Sequence, residues 1–300
     1  MASLGSFLSD NAQSLVALVP VVRDGATEAI HDARVATRRI RAALDLLTRE
    51  HPEPHLEEAG EIVRRIARAL GRVRDIDVSL ELLTDLERRV PAAAAGAAMC
   101  RGHLLRQRTT ARRTLVRKVD SLPLGKLPAL MAVKIPRQDR VLAARVRERA
   151  DQVVEAVHHS SSVYFPKRAH ALRVSIKKLR YLLEFSSARD ESALKLLRKS
   201  QQILGDAQDR QVLYKAVEGI SEVTPDAELE PLLAQIEAEC AHLYDGFLER
   251  RGEVLAVCQQ LAAEPASVRP WAVTGTLVML GAVAAGSAWQ GLRLRGATRR

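Results

Sequence analysis

The stretch His31-Asp32-Ala33-Arg34-Val35-Ala36-Thr37-Arg38-Arg39-Ile40-Arg41-Ala42-Ala43-Leu44-Asp45 returns, in its polar pattern, as His170-Ala171-Leu172-Arg173-Val174-Ser175-Ile176-Lys177-Lys178-Leu179-Arg180-Tyr181-Leu182-Leu183-Glu184. A displacement of 139 residues sets His31 on His170, Arg34 on Arg173, Arg38 on Lys177, Arg39 on Lys178, Arg41 on Arg180 and Asp45 on Glu184. Positions 31, 34, 38, 41 and 45 step by three and four, so on a helix they share one stripe. The flanking apolar positions Val35, Ile40, Leu44 and Leu47, like Val174, Leu179, Tyr181 and Leu183, can anchor each helix in a bundle. A second pair follows the first: Leu70-Gly71-Arg72-Val73-Arg74-Asp75 and Leu204-Gly205-Asp206-Ala207-Gln208-Asp209, displaced by 134 residues. Two displacements this close predict two homologous helical halves, related by a pseudo-two-fold axis.

Working outward, apolar residues recur at three- and four-residue spacing along most of the 300-residue chain, and no run alternates with period two. The fold class is therefore all-α. The spacing predicts helices over 27–49, 56–70, 74–90, 97–119, 138–159, 167–187, 190–204, 207–221 and 226–260. Pro52, Pro54, Gly71, Pro91, the Pro123–Pro128 segment, Pro136, Pro166, Gly205 and Pro225 supply the breaks. Short connections between such helices predict an antiparallel bundle. The expected organisation is one compact domain over 1–262, with a first repeat at about 27–120 and a second at about 165–262.

Forty-six Lys and Arg against 36 Asp and Glu leave a net charge of +10, which points to a polyanionic partner. The charge is segregated. Residues 101–118 hold seven basic side chains and no acidic one, whereas residues 216–249 hold nine acidic and no Lys or Arg. Either run alone reads as a solvated helix face. Aromatics make up only 3% of the chain, so the core is aliphatic and the stacking platforms expected of single-strand nucleic-acid binders are scarce. Three isolated cysteines form neither a CxxC pair nor a disulfide framework, which with the absence of a secretory signal predicts a cytoplasmic chain.

Like charges four residues apart destabilise a helix by a few tenths of a kcal/mol per pair. Two stripes of clustered cations are most readily tolerated when an anion neutralises them. The helix that follows the first stripe adds Arg64, Arg68 and Arg72 on one face; the corresponding helix of the second half offers Lys195, Arg198 and Lys199. His31 and His170 can donate to phosphate oxygens, or can serve as neutral side chains bonded near a helix start. Asp75 and Asp209 are expected either to cap the helix after the Leu-Gly turn or to pair with the basic stripe.

The paired His-x-x-Arg-x-x-x-Arg/Lys-Arg/Lys-x-Arg helices, each followed by Leu-Gly-x-x-x-Asp, resemble the CHAD family, the conserved-histidine α-helical domain, over roughly residues 10–262. The resemblance implies two four-helix-like repeats around a basic central groove that binds inorganic polyphosphate and targets proteins to polyphosphate granules. It implies ligand-facing roles for His31, Arg34, Arg38, Arg39 and Arg41, and for His170, Arg173, Lys177, Lys178, Arg180 and Tyr181. Arg64, Arg68 and Arg72 extend that set. Gln208 and Gln211 depart from the first half's Arg74 and Asp77.

Neither histidine has a second His or Cys at metal-site spacing, and no Gly-rich phosphate loop, HExxH or GxSxG occurs, so no metal, cofactor or catalytic activity is expected. A nucleic-acid-binding helical protein and a protein-interaction scaffold are the rival classes. Residues 270–292 carry no charge between Trp271 and Trp289 at the ends of the run and are a candidate membrane helix, followed by a basic tail at 293–300.

Overall fold

The computed structural model describes residues 4–50, 52–133, 138–185, 190–223 and 228–263, and contains ten α-helices and no strand among them. They are α1 (Leu4–Arg23), α2 (Thr27–Glu50), α3 (Pro54–Arg89), α4 (Ala94–Ser121), α5 (Leu127–Leu130), α6 (Gln138–His158), α7 (Pro166–Phe185), α8 (Glu191–Val223), α9 (Leu229–Leu248) and α10 (Arg251–Ala263). The chain divides into two units, residues 1–267 and 268–300. The second unit, and with it the candidate membrane helix at 270–292, lies outside the described residues. Among the described residues no helix is long and apolar enough to cross a membrane.

Helix ends follow local chemistry. Gly25 takes φ 83° between α1 and α2, a left-handed conformation that costs glycine little. Pro54 and Pro166 occupy the first positions of α3 and α7, where a missing N–H leaves no bond unmade. Asp190 accepts from the Ser192 and Ala193 backbone N–H groups at 2.9 and 3.0 Å and so caps α8. These bonds outweigh the effect of burial and hold its carboxyl below the usual range.

The two halves pack alike. α2 lies against α1 and α3, and α3 against α4; in the same way α7 lies against α6 and α8, and α8 against α9. Short α5 rests on α1 as α10 rests on α6. Between halves, α2 meets α7, α3 meets α8 and α4 meets α9, each helix finding its own counterpart. Self-pairing of this kind is what a two-fold relation produces. Glu239 of α9 ties the halves together, accepting from Arg89 of α3 at 2.8 Å and Arg210 of α8 at 2.6 Å. Burial alone would raise its carboxyl; the bonds from Arg89, Arg210 and Gln235 hold it below the usual range.

The core is aliphatic, with Leu8, Ile30, Ile40, Leu56, Ile66, Leu70 and Leu104 fully enclosed together with the rings of Tyr244 and Phe247. Each such Leu or Ile contributes about 1.5–3 kcal/mol of transfer free energy. Of the stripe's flanks, Ile40, Leu44, Leu47, Leu179, Tyr181 and Leu183 are buried, whereas Val35 and Val174 are only half-buried.

Several expected boundaries are corrected. The segments 56–70 and 74–90 form the single helix α3, and 190–204 and 207–221 form α8, so Leu70-Gly71 and Leu204-Gly205 lie in mid-helix rather than in turns. One interior glycine costs only about 1 kcal/mol, too little to end a helix packed on several sides. Conversely, the expected helix at 226–260 breaks between Leu248 and Arg251 into α9 and α10, and the unexpected α1 precedes the first predicted helix.

Candidate anion-binding site

The central helices α2 and α7 bring the two stripes face to face. Arg38 and Arg41 of α2, Arg64 of α3, and Lys177, Lys178 and Tyr181 of α7 line one cleft of about 660 Å³. Two carboxylates also border it, Asp45 and Glu57. Asp45 is already held by Arg149 of α6 at 3.0 Å. Among the described residues, five cations therefore face one carboxylate, Glu57, that pairs with no other side chain.

The electrostatic consequence is visible on individual groups. Burial, reinforced by Arg173, Arg38, Arg41 and Lys178, lowers the Lys177 ammonium to about 8. Burial likewise lowers the Arg38 guanidinium, with Arg34, Arg173 and Arg180 acting the same way and only Tyr181 opposing. Among the described residues, the buried Nε of Arg38 and that of Arg173 find no hydrogen-bond partner. Unpaired buried donors cost about 1–3 kcal/mol each, more when charged, unless a ligand accepts from them.

The remaining predicted residues divide. Arg34 donates to Asp75 at 3.1 Å. Gly71 makes this contact possible: a Cβ there would stand 2.6 Å from an Arg34 guanidinium nitrogen. The Leu-Gly-x-x-x-Asp motif is thus a seat, glycine below the arginine and aspartate one turn on. In the second half Arg173 passes Gly205 more loosely, its Nε 3.6 Å from the position of a Cβ. Asp75 and Asp209 do not cap helices. Burial raises both carboxyls despite the opposing influence of Arg34 and Arg173.

Arg180 is engaged on three sides, by Glu184, by Gln201 at 2.8 Å and by the Tyr181 ring 4.4 Å from its guanidinium carbon. Tyr181 is itself buried beneath it. Arg64 pairs with Glu61 at 3.0 Å, but both side chains are more than half exposed. Such a pair is worth at most about 1 kcal/mol, so a stronger anion can draw Arg64 away. Arg68 lies 3.9 Å from Glu61, and with Arg34 and Arg72 it lines a separate depression further along α3. His31 and His170 are exposed and lie outside the cleft, as does exposed Arg39. His170 Nδ1 stands 2.7 Å from Gln208 Oε1, which requires a proton on that nitrogen.

Sequence reasoning missed Arg149. Its side chain is 9% exposed, and by neutralising Asp45 it leaves Arg41 without its own i+4 carboxylate. Nothing in the Arg145-Val146-Arg147-Glu148-Arg149 pattern distinguishes it from Arg145 and Arg147, which are less deeply buried. Among the described residues no group of His, Cys, Asp or Glu side chains is placed to hold a metal ion.

The sequence profile of the CHAD domain family matches residues 7–250. The crystal structure of the CHAD domain from the plant Ricinus communis is similar with a TM-score of 0.63 and 20% identity, over 88% of this chain and 93% of that one. The structure of PptA from Streptomyces chartreusis is similar with a TM-score of 0.63 and 19% identity, over 86% of this chain and 98% of that one. A search of curated proteins gives no match.

Proposed function

The chain belongs to the CHAD domain family, whose known role is polyphosphate binding, and on that premise we propose that the cleft between α2 and α7 holds inorganic polyphosphate without turning it over. One observation carries the reading: Arg38, Arg41, Lys177 and Lys178 converge in a partly buried cleft where, among the described residues, no carboxylate pairs with any of them. A polyphosphate chain presents negative oxygens along its whole length. Arg38 and Arg41 supply planar forks that grip two oxygens each, while Lys177 and Lys178 act as compact charges. Binding gives the buried Arg38 Nε an acceptor and favours the charged form of Lys177. Arg64 joins by exchanging its exposed Glu61 for phosphate. Arg180, locked by Glu184 and Gln201, orients Tyr181 against the cleft.

The reading is of binding rather than catalysis: binding is the known role of the family, and the cleft carboxylate Asp45 is tied to Arg149 at 3.0 Å. Association with cytoplasmic polyphosphate granules follows from such binding, and imaging of the tagged chain against a granule stain checks it; a diffuse signal in granule-rich cells would count against it. Competition distinguishes the polymer from nucleic acid. Long-chain polyphosphate is expected to displace duplex DNA and RNA at equal phosphate concentration and moderate salt, and the reverse displacement would overturn the reading.

A further inference from the structure

Uncompensated charge extends past the cleft onto α4. Of the seven Lys and Arg within residues 101–118, Arg101 pairs with Glu87, Arg108 pairs with Asp77 at 2.6 Å, and Arg112 reaches the Thr27 hydroxyl at 3.5 Å. Among the described residues no carboxylate pairs with Arg106, Arg113, Arg117 or Lys118; Arg117 only donates to Thr114 at 3.3 Å. Arg106, Thr110, Arg113 and Arg117 are spaced four, three and four apart, and their helix face is exposed. Arg113 and Arg117, four apart, repel one another and weaken the helix, so an anion laid along the face would stabilise it.

This face connects with the cleft. Arg64 lines the cleft, and Arg68 and Arg72, one and two turns further along α3, line a depression of about 510 Å³. Gln107 of α4 lines the same depression and is the chain neighbour of Arg106. In the second half the equivalent route is closed. The displacement of 134 places Gln202 where the first half has Arg68 and Asp206 where it has Arg72, and α9 carries no Lys or Arg at all.

We propose that the outer face of α4 is a second polyphosphate subsite, reached over Arg68 and Arg72, so that a chain longer than the cleft leaves across the first half only and long polymers bind better than short ones. This rests on the cleft being the polyphosphate site. A basic face can equally meet an acidic protein surface, such as α9 of a second copy; its continuity with the cleft through Arg64, Arg68 and Arg72 is what favours the polymer.

The test titrates the full chain with inorganic tetraphosphate and with long-chain polyphosphate, in wild type and in a triple variant, Arg106→Glu, Arg113→Glu, Arg117→Glu, whose helicity is checked by circular dichroism. The variant is expected to lose at least about tenfold in affinity for the long chain and none for tetraphosphate. Its slope of log affinity against log salt is expected to be shallower by about 2, at roughly 0.7 per phosphate contact on a single strand. Equal losses for both lengths, or an unchanged long-chain isotherm, would overturn the subsite. So would a ligand-free wild-type dimer that the variant dissolves while long-chain binding persists, because the face would then be a protein interface. If a milder triple glutamine variant is needed for solubility, the same selective loss is expected at smaller size. Absence of binding by wild type to either polymer would instead remove the cleft reading on which the subsite rests.

Discussion

In the first half, the carboxylate one turn beyond Arg41, Asp45, is taken by Arg149 of α6; in the second half, Arg180 keeps its own Glu184 and adds Gln201 and the Tyr181 ring. The same pattern of equivalent positions with different partners runs outward. Asp77 of α3 receives Arg108 from α4, while its counterpart Gln211 of α8 lies 3.4 Å from the Tyr164 hydroxyl. Arg74 pairs with Glu81 at 3.0 Å, while its counterpart Gln208 accepts from His170. Across the α8–α9 contact the polarity reverses, with Arg210 on the inner helix and Glu239 on the outer. A repeat therefore preserves backbone positions and lets neighbours decide which charges remain exposed to a ligand. In this chain the first half contributes most of the unneutralised arginine, and the second half contributes two lysines and a rigid support.

The contrast is tested most severely at the buried charges. Asp77 is 3% exposed, and Asp77→Asn weakens its hold on Arg108; unfolding by denaturant is expected to show a loss of about 3 kcal/mol, as when one member of a buried pair is removed. Gln211→Asn, at the equivalent place, is expected to cost less than about 1 kcal/mol. Similar losses would mean that the two halves are stabilised alike.

Next comes the pair Arg41 and Arg180. Arg41→Ala should weaken polyphosphate binding several-fold and leave stability within about 0.5 kcal/mol, because no carboxylate among the described residues depends on it. Arg180→Ala should do the reverse first, costing about 1–3 kcal/mol from the lost bonds to Glu184 and Gln201 and the lost ring contact. Calorimetric binding and thermal unfolding on both variants separate the two roles.

pH sharpens the picture of Lys177. Its folded-state pKa is lowered to about 8, so the ligand-free protein carries the full cleft charge below that pH and loses it as pH rises through it. A polyanion favours the charged form. Affinity is therefore expected to be flat below about pH 7 and to fall above 8 by at most about tenfold per pH unit. Lys177→Arg keeps the charge and should flatten the profile; a wild-type profile flat to pH 10 would contradict the crowding of cations.

The smallest effect concerns the two seats. At Gly205 a Cβ meets Arg173 at ordinary contact distance, so Gly205→Ala is expected to stabilise by about 0.5–1 kcal/mol. At Gly71 the same methyl displaces Arg34 from Asp75, so Gly71→Ala should show no such gain.

The repeated stripe was legible because its three- and four-residue steps and its burial pattern agree: Ile40 and Leu179 anchor while Arg38 and Lys177 project. The Leu-Gly motif misled as to helix ends, since a glycine that admits a guanidinium reads the same as one that ends a helix. α1 was missed although Leu4, Leu8, Ala12 and Leu15 form a buried stripe, and Pro20 in its last turn obscures the pattern. The α9–α10 break carries no Gly or Pro between Leu248 and Arg251, being stabilised by Arg250 on the Gly246 carbonyl and Arg251 on the Val157 carbonyl. Long-range neutralisation, such as Asp45 by Arg149 across 104 residues, has no local signature. It decides which members of a legible stripe face a ligand with their charge unmatched.

The most direct measurement is the long-chain polyphosphate isotherm of the double variant Arg38→Glu, Lys177→Glu, taken at two salt concentrations beside wild type. Wild type is expected to bind with an affinity that falls steeply with salt, and the double variant to lose at least about a hundredfold while keeping its helicity, since two cleft cations become anions. An unchanged affinity in the folded double variant would place the polymer elsewhere and contradict the account.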